Sequence, residues 1–423
     1  MIEANEQWHK EPISCEDVHS LVRNTYSKPI KRPGDKDMSE CFSLAKEEAG
    51  WVMSSSFFVG VDWLDERKTA IRIKPKFDHK EKQIEVDYLG MLEEALKEPK
   101  NFDQLDGLLY VDFNRPSIVI PRQDDMLSLF LISEFLHVMK RITDKGLKKS
   151  YYFVESNQSS KIKGKLLLAQ NIKRNNIRGN FSDNYCRYQE FGIDIPENRL
   201  LKKAMLLSSS FLDAYHSDTV RQLKQTITDI SPKWRKVKAE CEPLKIHEGR
   251  INSFFKEYPV AMRLAKLILK KMSFNQVLHD ANMTTTPPYW IDMSKLFEMF
   301  VLTKLRIRFG DMVIYHPHFR GQEPDYLLAA DEGRPPYIID AKYKRYGENP
   351  INKDDIRQVS GYCRMKGVRN RLEVTDHSLI PCLIVFPDQE SNDSIPTPEK
   401  WDDEGRYLDV YKLGIKLPIN NDG

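Results

Sequence analysis

Asp325, Asp340 and Lys342 have the residue types and spacing to do chemistry; they lie in EPDYLLAADEGRPPYIIDAKYKRY, residues 323–346. Each carboxylate sits at one end of a short apolar run, and a strand sends residues two apart to the same face. Asp340 and Lys342 therefore project together, while Ala341 points into the fold. A preceding strand that opens on Asp325 can bring a second carboxylate beside the first. Two carboxylates with a backbone carbonyl make an oxygen-lined site suited to Mg2+, with Mn2+ able to substitute. A metal there can lower the pKa of a bound water and stabilise charge developing on a phosphate. Lys342 can orient or deprotonate the attacking water, or balance negative charge in the transition state.

Two flanking helical runs add to this group. DDIRQVSGYC places Gln358 and Tyr362 four apart, on one helical face. MSKLFEMFVLTKL sets Glu298 in an otherwise apolar helix surface, where a carboxylate is costly unless it is paired or meets a cation. His316 and His318, in YHPHF, have a spacing on a strand that allows metal ligation. No third ligand is evident beside them, so packing or a nucleic-acid-facing role is the expectation. NIKRNNIRGN and KWRKVK are basic enough to track phosphates, with solvated surface as the plain alternative.

The elements that must position these residues come last in the chain. Residues 286–423 read as a helix (292–308), three strands (MVIYHPHF, DYLLAA, YIIDAKY), a helix (354–366) and two more strands (PCLIVF, RYLDVYKLG). Strands with an interposed helix predict an α/β core with a mixed central sheet. Residues 1–150 read as an α+β domain, with a polar, irregular first 50 residues and strands in FFVGVDW, TAIRIKPKF and KQIEVDYL. Residues 151–285 begin with strands in SYYFVES and KGKLLLAQNI and become mainly helical, ending in the turn-rich NMTTTPPYW.

Composition excludes several classes. At 423 residues, two or three domains are expected, and 40% apolar content suits a folded chain. Lys+Arg (65) and Asp+Glu (62) nearly cancel, so a polyanion surface must come from local clustering. The six cysteines, at 15, 41, 186, 241, 363 and 382, form no CxxC pair, which disfavours zinc and disulfides and suits a reducing cytosol. No signal peptide or membrane span is expected: MLSLFLISEFLHVM is too short and holds Glu134 and His137. No Walker A, GxSxG or HExxH pattern occurs. The expectation is a soluble cytoplasmic protein.

Pro324-Asp325, then Asp340-Ala341-Lys342, then Gln358 with Tyr362, resembles the PD-(D/E)XK nuclease signature, and the Gln-xxx-Tyr helix is similar to its RecB-like branch. The wider wording resembles the McrC family, nuclease subunits of McrBC modification-dependent restriction systems. LFEMFV resembles that family's helix bearing a first glutamate, here Glu298; GKLLLAQNI and CRYQEFGIDIPENRLLKKAM resemble the segment before its nuclease domain. Lys165 stands where the family has arginine in a Gly-Arg step. The resemblance covers about residues 161–390.

It implies a PD-(D/E)XK-like nuclease core in 286–423, a motor-docking N-terminal domain in 1–150 and a linker or DNA-contacting domain in 151–285. It implies Mg2+ held by Asp325, Asp340 and Glu298, with Lys342, Gln358 and Tyr362 completing a catalytic set. Modified double-stranded DNA is the implied substrate, and a McrB-like AAA+ GTPase oligomer the implied partner. Two other readings stay open: a non-catalytic adaptor that activates the motor, and a stand-alone nuclease of the same superfamily.

Overall fold

β-Branched and aromatic residues dominate FVGVDWLD and TAIRIK, and both form strands, Phe58–Asp65 and Thr69–Lys74, joined by a tight turn. They pair antiparallel, and Ile2–Asn5 adds in parallel to the outer edge of Thr69–Lys74. The computed structural model describes residues 1–13, 18, 25–32, 38–48, 50–79, 82–98, 101, 104, 107–215, 218–240, 255–275, 283–319, 323–344 and 351–419.

The chain forms two compact units: Met1–Leu127 together with Asp280–Gly423, and Ser128–His279. This differs from the expected breaks near 150 and 285. The reason lies in Tyr289–Asp292, which sits inside the N-terminal sheet. That strand pairs with Phe58–Asp65 on one side and Leu109–Val111 on the other, giving a five-stranded sheet. A Cβ on Gly60 would lie 2.1 Å from the Tyr289 carbonyl oxygen, so only glycine admits this strand so closely. The turn-rich stretch expected as a domain boundary is thus two strands, Met283–Thr286 and Tyr289–Asp292, separated by Pro287 and Pro288.

The first 50 residues are also less irregular than expected. Glu11–Ile13, Thr25–Ile30 and Ser39–Glu47 join Gly50–Ser55 in a four-stranded sheet. Thr25–Ile30 alternates exposed and half-buried positions, so its polar face masks a strand period in the composition. Phe42, Leu44, Met53, Phe58, Ile71 and Trp290 share one core cluster, which ties both N-terminal sheets together.

The unit Ser128–His279 pairs Ser150–Ser159 with Asp183–Gly192 along ten residues. Its long helices include Pro196–Leu212, Asp218–Trp234 and Glu257–Asn275. Pro196 opens the first of these, where its missing N–H costs nothing. Asn198 donates to the Lys148 and Ile193 carbonyls, and Arg199 grips Asp194 with two nitrogens at 2.9 and 2.7 Å. KGKLLLAQNI is not the strand expected: only Lys165–Leu166 pairs, and Leu168–Arg174 is helical.

The six-stranded sheet of the C-terminal half runs Val313–Tyr315, Tyr326–Leu328, Tyr337–Ala341, Cys382–Pro387, Val410–Ile415, Asp402–Asp403. The first three strands are antiparallel, and the next two join in parallel, so the sheet is mixed. The helix Lys353–Tyr362 makes the crossover between the Tyr337–Ala341 and Cys382–Pro387 strands. Its Ile356 and Val359 pack with Ile338, Ile384 and Phe386. Each fully buried isoleucine there contributes about 2–3 kcal/mol of transfer free energy. The helix Met293–Phe309 starts directly after Asp292, whose side chain accepts the Lys295 N–H as its cap. Arg32 pairs with the same carboxylate at 2.6 Å. The first sheet, through Asp292, therefore sets where this helix begins and where Glu298 falls on it.

Candidate metal centre

Tyr326–Leu328 and Tyr337–Ala341 are neighbours, with Tyr326 opposite Ile339, so Asp325 and Asp340 arrive side by side at one end of the pair. Asp325 Oδ2 accepts the Ala341 backbone N–H at 2.8 Å. Asp340 is fully buried, 0% exposed. Its Oδ2 lies 2.7 Å from Lys342 Nζ as an ion pair, but neither carboxylate oxygen accepts a hydrogen bond of good geometry. Lys342 extends the strand by donating its N–H to the Val385 carbonyl at 2.8 Å, which holds its side chain on the Asp340 face.

Glu298 reaches the same place from the helix Met293–Phe309. Tyr326 Oη donates to the Glu298 carbonyl at 2.6 Å, pinning this turn of helix to the Asp325 strand. The Glu298 carboxylate lies 3.2 Å from His316 Nε2 and 3.8 Å from Lys295 Nζ, and Lys295 also donates to Tyr315 Oη at 2.7 Å. Glu298, His316 and Asp325 each offer one ligand atom, and these atoms lie within 4.8 Å of one another. His316 was expected to pack or face nucleic acid; the structure instead brings it to the acids, because the turn after Tyr315 folds it back over Asp325. His318 does point away, exposed and paired with Glu323.

The electrostatics follow from crowding negative charge in a buried place. Burial pushes Asp325 well above the usual carboxylate range, and Asp340 and Glu298 add to the shift. Asp340 is also raised by burial, against the pull of Lys342. Glu298 goes the other way: burial opposes its charge, but the His316 hydrogen bond and the Lys295 charge outweigh it. Burial disfavours the Lys342 ammonium, yet Asp340 and Asp325 hold its pKa above the ordinary lysine value. Such carboxylates share protons as a group and call for a cation. A divalent metal fits the unpartnered Oδ1 of fully buried Asp340 and the convergent oxygen donors of Asp325 and Glu298.

Gln358 and Tyr362 share one helical face, as their spacing predicts, and bond to each other: Gln358 Nε2 donates to Tyr362 Oη at 2.9 Å. Tyr362 Oη donates in turn to the Glu323 carbonyl at 3.2 Å, two residues before Asp325. Their described hydrogen bonds thus hold the segment that leads into Asp325. Lys344 pairs with Asp355 at 2.8 Å, fastening the end of the Asp340 strand to the same helix. Sequence reasoning missed His316, Lys295 and Tyr326 as parts of the site. A signal for Tyr326 was its place next to Asp325, but nothing in the spacing linked residues 295 or 316 to it.

A protein-family model described as the McrBC 5-methylcytosine restriction system component matches residues 58–372. The chain belongs to this family. The match to the McrBC component takes in Glu298, Asp325, Asp340, Lys342, Gln358 and Tyr362, and it also crosses the unit Ser128–His279. Among solved structures, the chain is similar to one in a refined half-complex from a tetradecameric assembly of Thermococcus gammatolerans McrB AAA+ hexamers with bound McrC. That match has 18% identity and a TM-score of 0.38, covering 88% of this chain and 80% of the other. A second match is to a cryo-EM structure of the Thermococcus gammatolerans McrBC complex, at 16% identity and a TM-score of 0.31, covering 88% and 99%. No curated protein matches. No described helix is long and apolar enough to cross a membrane.

Proposed function

We propose that this McrBC-family chain is a Mg2+-dependent endodeoxyribonuclease subunit that hydrolyses DNA phosphodiesters and stimulates a McrB-type AAA+ GTPase. The observation that carries the reading is the convergence of Glu298, His316 and Asp325, with Asp340 at the end of the strand next to Asp325 and the Lys342 ammonium 2.7 Å from Asp340. The three carboxylates would hold the ion, and a divalent ion bound there supplies a water of lowered pKa and stabilises charge on the phosphate. Asp325 is oriented before any ligand arrives, because its Oδ2 is already committed to the Ala341 N–H. Lys342 brings a positive charge to the same strand face, suited to a phosphate oxygen that gains charge in the transition state. Gln358 and Tyr362 fix the approach to Asp325 through the Glu323 carbonyl.

Modified double-stranded DNA is the substrate this reading assigns, since the family is that of a 5-methylcytosine restriction system. The test is incubation of the full chain with methylated and unmethylated duplexes in Mg2+, with and without a McrB-type AAA+ protein and GTP. Cutting of the methylated duplex in the complete mixture is expected. Stimulated GTP hydrolysis without cutting in any mixture would instead favour an adaptor.

A further inference from the structure

We infer that His316 is a nitrogen ligand of this metal centre, so that the site binds Mn2+ more tightly than Mg2+. The inference rests on the reading of the acid cluster as a metal site and refines which ion it prefers. His316 Nε2 and Glu298 Oε2 are 3.2 Å apart. Two adjacent ligands of an octahedral ion at about 2.1 Å stand about 3 Å apart, so the pair is spaced as ligands are. The ring turns Nε2 toward Glu298, while Nδ1 stands 3.9 Å from Glu323 Oε2, beyond hydrogen-bond distance.

The backbone gives an independent sign. His316 has φ +42°, in the left-handed region that a non-glycine residue rarely occupies. The conformation is held by its N–H donating to the Asp325 carbonyl at 3.0 Å, and the imidazole lies against the Tyr315 ring with centroids 4.3 Å apart. A histidine forming an ordinary surface ion pair has no need of this turn. Strain of this kind persists where a side chain must be aimed, and here it is aimed at the acids. The side chain is 32% exposed, open enough for an ion with its waters to enter.

The preference follows from donor chemistry. Mg2+ is hard, favours oxygen and gives up water reluctantly, whereas imidazole suits Mn2+ and the later divalent ions better. Replacing one oxygen donor by His316 therefore shifts the balance toward Mn2+.

Pulsed EPR of the full chain loaded with Mn2+ tests this without reference to activity. Nitrogen-14 coupling from a directly bound imidazole is expected in the wild type and absent in His316→Ala. In parallel, Mn2+ affinity should fall about tenfold or more in the variant, and Mg2+ affinity, measured by competition, by less than about threefold. Mn2+ bound by the wild type without nitrogen coupling overturns the inference while leaving the metal site standing. An equal loss for both ions also overturns it, since His316 would then only position Glu298. A wild-type chain that binds neither ion removes the metal reading itself.

Discussion

Asp325 and Ala341 are joined across two neighbouring strands by one hydrogen bond, from the Ala341 N–H to Asp325 Oδ2 at 2.8 Å. It sets the spacing between the two acids, because Ala341 directly follows Asp340. Asparagine at 325 keeps an acceptor for that N–H and removes a carboxylate that burial, Asp340 and Glu298 all disfavour as an anion. Asp325→Asn should therefore melt at or above the wild-type temperature while DNA cutting is lost. Asp325→Ala should cost about 1–3 kcal/mol, because a buried N–H loses its partner. Equal stability losses in the two variants, measured by thermal melting, would show that the hydrogen bond does not hold the strands.

Glu6 offers a pH test away from the acid cluster. It is buried, accepts the Tyr343 hydroxyl at 2.9 Å through Oε1, and has no hydrogen-bond partner at Oε2. Burial raises its carboxyl from 4.5 to about 8, although the Tyr343 hydrogen bond pulls it down. The folded chain thus holds a proton that the unfolded chain has lost between these two values, so stability falls as pH rises through that window. The contribution is about 3–5 kcal/mol across it. Glu6→Gln, which keeps an acceptor for Tyr343, should flatten this dependence and gain most over the wild type near the upper end. Urea denaturation of both proteins at pH 5 and pH 8 reads it; parallel losses would contradict the assignment.

Much of the site was legible because the signature residues lie on short, strongly patterned elements. The strand alternation that put Asp340 and Lys342 on one face, and the helical spacing of Gln358 and Tyr362, both appear in the structure. What sequence reasoning lacked was long-range pairing. The Tyr289–Asp292 strand carries no local mark of its partners Phe58–Asp65 and Leu109–Val111, and the prolines before it read as a boundary. The spacing of His316 shows no third ligand, because Glu298 lies 18 residues earlier on a helix and Asp325 beyond a turn. Fold closure, not spacing, brings them together.

That topology predicts which truncations fold. Ile118–Pro121 pairs with Met283–Thr286, so the chain leaves and re-enters the first unit side by side. Replacing residues 128–279 by a short Gly/Ser linker should leave a folded protein, whereas a fragment starting at Thr286 should not fold, since Tyr289–Asp292 loses both neighbours. Circular dichroism and a cooperative melt decide between them. A well-folded Thr286 fragment would restore the separate C-terminal domain.

The most direct test of the central claim is DNA cleavage and GTP hydrolysis measured in one reaction, with a McrB-type AAA+ partner, methylated duplex, Mg2+ and either wild-type or Lys342→Ala chain. Removing the ammonium leaves buried Asp340 without its cation, so the variant should first be shown folded by circular dichroism. The account predicts that cleavage falls by about a hundredfold or more while GTP hydrolysis stays within about twofold of wild type. Cleavage at the wild-type rate in the folded variant would contradict it.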